Sequence, residues 1–197
     1  MSVQINPKEL RGEWKQGFAL DVHTTGSTFI GHNEYGRPEF DTTRSPLGEL
    51  LYRLKYKRDA SVIEEIVDTI AEFIKASKIG INAIVPMPPS NVRSSQPVLQ
   101  VANALGKKLG VPVLDTCISK SKRTPQLKDV YNYEERRKLL EGAFTVNRDQ
   151  TAGKSLLLFD DLYRSGATMN AVARELTNTG EAKEVFVLAL THTRSSL

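Results

Sequence analysis

The sequence predicts an α/β domain: a mostly parallel sheet flanked by helices, with a small N-terminal β annex. Three observations lead there. Short apolar runs of strand length, INAIV (81–85), VPVLDTCI (111–118), SLLLF (155–159) and EVFVLALTH (184–192), recur along the chain. Segments with helical periodicity and clear helix-stop residues separate them. The order strand, helix, strand implies right-handed crossovers and a sheet covered on both faces. In such sheets, ligands bind beyond the carboxyl ends of the strands.

Each element has a local reason. Residues 17–40 carry two short β-leaning runs around Thr25-Gly26 and a second turn at Tyr35-Gly36-Arg37-Pro38, which predicts a hairpin-like annex. Residues 1–44 are accordingly assigned to the annex and 45–197 to the main domain, the two forming one compact unit. Ser45 is placed to cap a helix that begins at Pro46 and runs through LGELLYRLKY. Ser61 and Glu64 have capping-box spacing, and Ile63, Ile66, Val67, Ile70 and Ile74 follow at helical intervals until Gly80. The INAIV run is stopped by Pro86; a helix through VLQVANALGKKLG then ends at Gly110. VPVLDTCI is a strand, SKSKRTPQLKDVYNYEERRK a long polar stretch, and GAFTV and SLLLF further apolar runs. A helix from about Ala167 to Thr179, closed by Gly180, precedes the last strand.

The 197 residues, 40% hydrophobic and 25% charged, fit one compact domain with a sizeable core. No apolar stretch approaches the roughly 20 residues of a membrane span, and MSVQINPKELRGEWK lacks an apolar signal segment. A cytoplasmic protein without a membrane partner is expected. The single cysteine, Cys117, excludes an internal disulfide and a multi-cysteine zinc site, and its apolar neighbours mark it as a buried residue. A net charge of +4 favours anionic ligands, phosphates as readily as nucleic acid.

The chemistry concentrates in LLLFDDLYRSGAT, residues 156–168. The strand rule puts Asp160 and Asp161 at the ligand edge, with a helix starting just after them. A helix N-terminus offers unpaired N–H groups and partial positive charge, so the turn from Leu162 to Thr168 suits a phosphate. Gly166 permits close approach, and Ser165 and Thr168 add hydroxyls. The two carboxylates are acceptors, suited to sugar hydroxyls or hydrated Mg²⁺. The plainer alternative is one Asp capping the helix and the other solvated.

This stretch resembles the phosphoribosyl diphosphate (PRPP) motif of type I phosphoribosyltransferases, in which four apolar residues and two acids precede a T-T-G-x-T turn. Arg164 and Ser165 occupy the two Thr positions. The resemblance implies that Asp160 and Asp161 are the catalytic acids, holding the ribose 2′ and 3′ hydroxyls and organising Mg²⁺ directly or through water. It assigns the 5′-phosphate to Arg164, Ser165, Gly166, Ala167 and Thr168. Thr124, Gln126, Arg136, Arg137 and Gly142-Ala143-Phe144 are similar to a segment of ComF-like members, as are LLYRLKYK (50–57) and IVPMPPSNVRSSQ. In that pattern Met87, Pro88, Arg93 and Lys55 face diphosphate, and Arg123, Gln126, Arg136 and Arg137 belong to a lid loop. The Pro86–Pro89 segment also reads as a rigid proline turn, in which a cis Met87-Pro88 bond costs only about 1 kcal/mol. Lys55 also reads as a surface residue.

The chain departs from the ComF pattern in three places. The N-terminal cysteine-rich zinc element is replaced by the annex, an Asn before G-A-F is Leu139, and R-G-F-N-Q is absent, with only Arg93 and Gln96 nearby. The implied function is a phosphoribosyltransferase using PRPP, Mg²⁺ and a small nitrogen acceptor. A non-catalytic PRPP sensor and an accessory protein of DNA uptake are the alternatives, and a homodimer is compatible with each. Lys120 to Lys138, with Tyr131 and Tyr133, reads as a lid, a single-stranded DNA surface or a solvated loop. No Ser-His or Cys-His pair exists for nucleophilic catalysis. His23, His32 and His192 are scattered and read as surface or structural residues.

Overall fold

A computed structural model describes residues 1–89, 96–121 and 133–194. Along the chain come β1 (Lys8–Glu9), β2 (Gln16–Val22), β3 (Thr24–His32), β4 (Pro38–Arg44), α1 (Pro46–Tyr52), α2 (Ile63–Ala76) and β5 (Ala83–Pro86). There follow α3 (Pro97–Leu109), β6 (Ile118–Lys120), α4 (Tyr133–Leu140), β7 (Phe144–Val146), α5 (Arg148–Thr151), β8 (Ser155–Tyr163), α6 (Ala167–Asn178) and β9 (Glu184–His192). The main sheet has the order β1-β2-β9-β8-β5. Strands β2, β9, β8 and β5 are parallel, and only β1 is antiparallel to its neighbour. The α/β architecture with a mostly parallel sheet is as the sequence predicts.

Apolar continuity in β8 and β9 makes two cores. Side chains alternate across a strand, so Leu156 and Leu158 join Val185, Val187 and Ala189 in the core that includes α6 residues Val172 and Leu176. Leu157 and Phe159 join Phe186, Leu188 and Leu190 on the other face, with Leu47, Leu51, Ile66, Ile70 and Leu105 of α1, α2 and α3. Each fully buried Leu or Phe contributes about 2 kcal/mol relative to exposure. Cys117 is buried at 1% exposure, and burial pushes its thiol up to about 11, as fits a packing residue.

Several local expectations change. The segment Gln16–Val22, assigned from sequence to the annex, is a strand of the main sheet beside β9, paired from Gln16↔Phe186 to Val22↔His192. Thr25-Gly26 lies inside β3, at a register shift, and is not a hairpin turn. The hairpin is β3–β4, closed where the Asn33 side chain accepts the N–H groups of Tyr35 and Arg37, with Gly36 at φ 70°. VPVLDTCI forms only a single bridge, Val113 to Ile84, before β6 begins at Ile118 and pairs antiparallel with β7. Ser45 caps α1 as expected, accepting the Gly48 N–H at 3.1 Å. Before α2, however, the capping side chain is Asp59, which accepts the Ser61 N–H at 3.1 Å and opens a 3₁₀ turn, Ala60–Val62. The α2 helix stops at Ala76, short of Gly80, because Lys78 takes the left-handed conformation at φ 53°. Gly110, at φ 70°, closes α3 as expected.

Candidate active site

The carboxyl ends of β2, β9 and β8 lie in register. His192 of β9 faces Val22 on one side and Tyr163 on the other, and Thr191 faces Asp21 and Leu162. Strand β8 therefore does not stop at Phe159 but runs through both acids. Because side chains alternate, Asp160 and Asp161 leave opposite faces of the sheet. Asp161 lies toward α1, where Lys55 Nζ sits 2.9 Å from its Oδ2, their side chains 19% and 15% exposed. Lys55 belongs to the π-helical turn Arg53–Lys57 that extends α1, so it is an ion-pair partner within the site and not the free surface residue its helix position suggests. Asp160 Oδ1 accepts the Asp161 N–H at 2.8 Å. Protein packed around the Asp160 carboxyl, then the Asp161 charge, raise its pKa to about 8, against the opposing Asp161 N–H and Lys55.

The turn after β8 is shaped by Gly166. Its φ of 72° favours glycine, and a Cβ there would stand 2.3 Å from the Tyr163 hydroxyl oxygen. Asn170 Nδ2 donates to the Gly166 carbonyl at 3.0 Å, while Asn170 Oδ1 accepts the Glu13 N–H at 2.9 Å. This holds the start of α6 against the β1–β2 connection. No side chain caps the first N–H groups of α6 among the described residues, so that end suits an anion. Ser165 and Thr168 are half-buried beside it, and Arg164 is exposed. On the neighbouring strand, the Met87 N–H donates to the Phe159 carbonyl at 2.8 Å. The Met87-Pro88 bond is trans, and the Met87 side chain is packed in the core at 7% exposure, so any diphosphate contact there falls to backbone. Lys120 Nζ donates to the Pro89 carbonyl at 3.0 Å, linking that turn to the β6–β7 ribbon. Arg93, Arg123 and Gln126 lie outside the described residues. Arg136 and Arg137 fall on α4. No group of three or more His, Cys, Asp or Glu that could hold a metal occurs among the described residues. The two acids fit Mg²⁺, which typically takes one or two carboxylates and completes its shell with substrate oxygens and water.

No family model matches the chain. Over 152 residues, 73% of this chain, it is 29% identical to the competence protein ComFC of Bacillus subtilis. Over that span the chain is similar to ComFC. It matches 59% of the length of that relative. Among solved structures, adenine phosphoribosyltransferase of Saccharomyces cerevisiae matches at 18% identity and TM-score 0.46, covering 83% of each chain. Adenine phosphoribosyltransferase of Trypanosoma brucei matches at 16% identity and TM-score 0.49, covering 95% of this chain and 74% of that one.

The fold also brings to this edge residues that carry no local sequence signal. His23 follows β2 directly. Its N–H donates to the His192 carbonyl at 2.8 Å, and its Nδ1 lies 3.2 Å from Thr191 Oγ1. The Thr191 hydroxyl in turn donates to the Asp161 carbonyl at 3.2 Å. Burial, then the charges of Lys55 and Arg44, lower the His23 pKa against the opposing charge of Asp161. His23 is thus half-buried inside the site's electrostatic field and not a surface residue. Its sequence signal was weak, because the partners stand far along the chain.

Proposed function

We propose that this chain binds PRPP with Mg²⁺ and transfers its phosphoribosyl group to a small nitrogen acceptor. The observation that carries the reading is the close of β8, where paired acids stand one turn before an uncapped helix N-terminus. In this reading the α6 N–H groups, the Ser165 and Thr168 hydroxyls and Arg164 hold the 5′-phosphate. Asp160 and Asp161 accept the ribose 2′ and 3′ hydroxyls. Lys55 and the backbone at Met87 and Pro88 face the diphosphate. Asp160 and Asp161 would hold Mg²⁺ directly or through water, and its positive charge would offset that of the leaving diphosphate. Fixed N–H donors in such a site contribute on the order of 3 kcal/mol each to a charge that develops in the transition state. The ComF likeness and the order of the sequence motifs support the same reading.

Calorimetry with PRPP and Mg²⁺ tests it. The wild type should bind, and the Asp160→Asn/Asp161→Asn double variant should lose at least about 100-fold in affinity, as removal of several charge-assisted contacts predicts. An unchanged double variant, or no binding by the wild type, defeats the proposal. The relative's role in competence supports a second reading, an accessory function in DNA handling. That reading gains ground if PRPP does not bind.

A further inference from the structure

We propose that His23 is the proton acceptor for the incoming nitrogen nucleophile, its Nε2 facing the acceptor side of the site; this rests on the reading of the site as one of phosphoribosyl transfer. The argument begins with one hydroxyl. Thr191 Oγ1 carries a single proton and stands 3.2 Å from both the Asp161 carbonyl, which can only accept, and His23 Nδ1. With that proton donated to the carbonyl, Oγ1 meets His23 Nδ1 as an acceptor. In that arrangement Nδ1 carries the imidazole proton, and Nε2 is left with its lone pair. Among the described residues no hydrogen bond engages Nε2. A hydrogen bond at one ring nitrogen fixes which of the two is basic.

The backbone that carries the ring is also held in place. Ser45 Oγ donates to the Val22 carbonyl just before it and accepts the Gly48 N–H at 3.1 Å. The first turn of α1 closes so tightly that a Cβ on Gly48 would lie 2.3 Å from the His23 carbonyl oxygen. With its N–H bonded to His192, the His23 backbone is fixed on both sides. The charged groups acting on the ring are Lys55 from the π turn, Arg44 from β4 and Asp161 from β8. The two cations and burial favour the neutral imidazole, the form that can accept a proton. In the transfer, the acceptor's lone pair forms the N–C1′ bond as the C1′–O bond breaks, with its electron pair leaving on diphosphate. The proton displaced from the acceptor nitrogen passes to Nε2 and then to solvent.

Long-range ¹H–¹⁵N spectra of the full chain read the tautomer directly. The expected result is a protonated Nδ1 and a bare Nε2, with Thr191→Val weakening that preference; a protonated Nε2 overturns the proposal. Diphosphate release from PRPP and Mg²⁺ is then measured with ammonium, anthranilate, adenine, guanine and uracil as probe acceptors. His23→Asn should lower acceptor-dependent turnover by about 100-fold and remove the acidic limb of its pH profile. Its PRPP affinity by calorimetry should stay within about twofold. Equal turnover in His23→Asn, or a wild type that binds PRPP yet transfers to no probe, overturns the role of His23. Failure of the wild type to bind PRPP instead removes the underlying reading of the site, and with it this role.

Discussion

Strands β2 and β8 carry the same local device toward their carboxyl ends, with different outcomes. Asp21 Oδ1 accepts the Val22 N–H at 2.8 Å, just as Asp160 Oδ1 accepts the Asp161 N–H at 2.8 Å. At β2 the acid is 4% exposed, the next residue is apolar, and α1 closes over the backbone through Ser45 and Gly48. At β8 the next residue is a second carboxylate, and the following helix presents its N-terminus without a side-chain cap. The capped aspartate is therefore a generic strand ending. What distinguishes a candidate ligand site is the second acid and the uncapped donors beside it, while the closed ending serves to hold His23.

The most direct way to break this contrast is Gly166→Ala. It combines an unfavourable φ with a Cβ 2.3 Å from the Tyr163 hydroxyl, so stability should fall by about 2 kcal/mol. Thermal unfolding measures the loss, and Tyr163→Phe in the same background should recover part of it by removing the clashing oxygen.

A second test sharpens the comparison through pH. The Asp160 pKa rises from 3.8 to about 8 in the fold, so between those values the folded state binds the proton and the unfolded state does not. Stability from this group is present below about pH 4 and is lost as pH rises toward 8. Denaturant titrations of Asp160→Asn should show a flatter decline across that window and a gain over wild type at pH 8; a steeper decline in the variant would contradict the assignment. The smallest effect belongs to the hairpin. Phe29 and Phe40, each 52% exposed, meet edge to face at 5.7 Å between centroids, and Phe29 also meets His32 at 5.2 Å. Phe29→Ser should change global stability by no more than about 0.5 kcal/mol in the same titrations.

The parts legible in the sequence are those whose causes are local. The Ser45 cap, the Gly110 stop, the β9 run and the order of strand, paired acids and helix start all depend on residues a few positions apart. The parts missed depend on distant pairing. The run FALDVH looked like half of a hairpin because it adjoins Thr25-Gly26, yet its partner is β9, where Phe18 meets Leu188. His23 looked isolated for the same reason, since Thr191 lies 168 residues away. Asp59 displaced Ser61 as the cap because its carboxylate also pairs with Arg53 at 2.6 Å, a contact no spacing rule contains.

The place of β9 has a consequence for how the molecule is made. It follows every other described strand in the chain, yet it sits between β2 and β8 in the sheet. During synthesis, β2 and β8 therefore emerge with open edges and no neighbour between them until the residues from Glu184 onward leave the ribosome. Exposed strand edges invite wrong pairing, and long-range parallel contacts form slowly. The nascent chain passes through its most aggregation-exposed interval just before Thr191 arrives to join His23 to Asp161, so chaperone demand should peak just before β9 emerges.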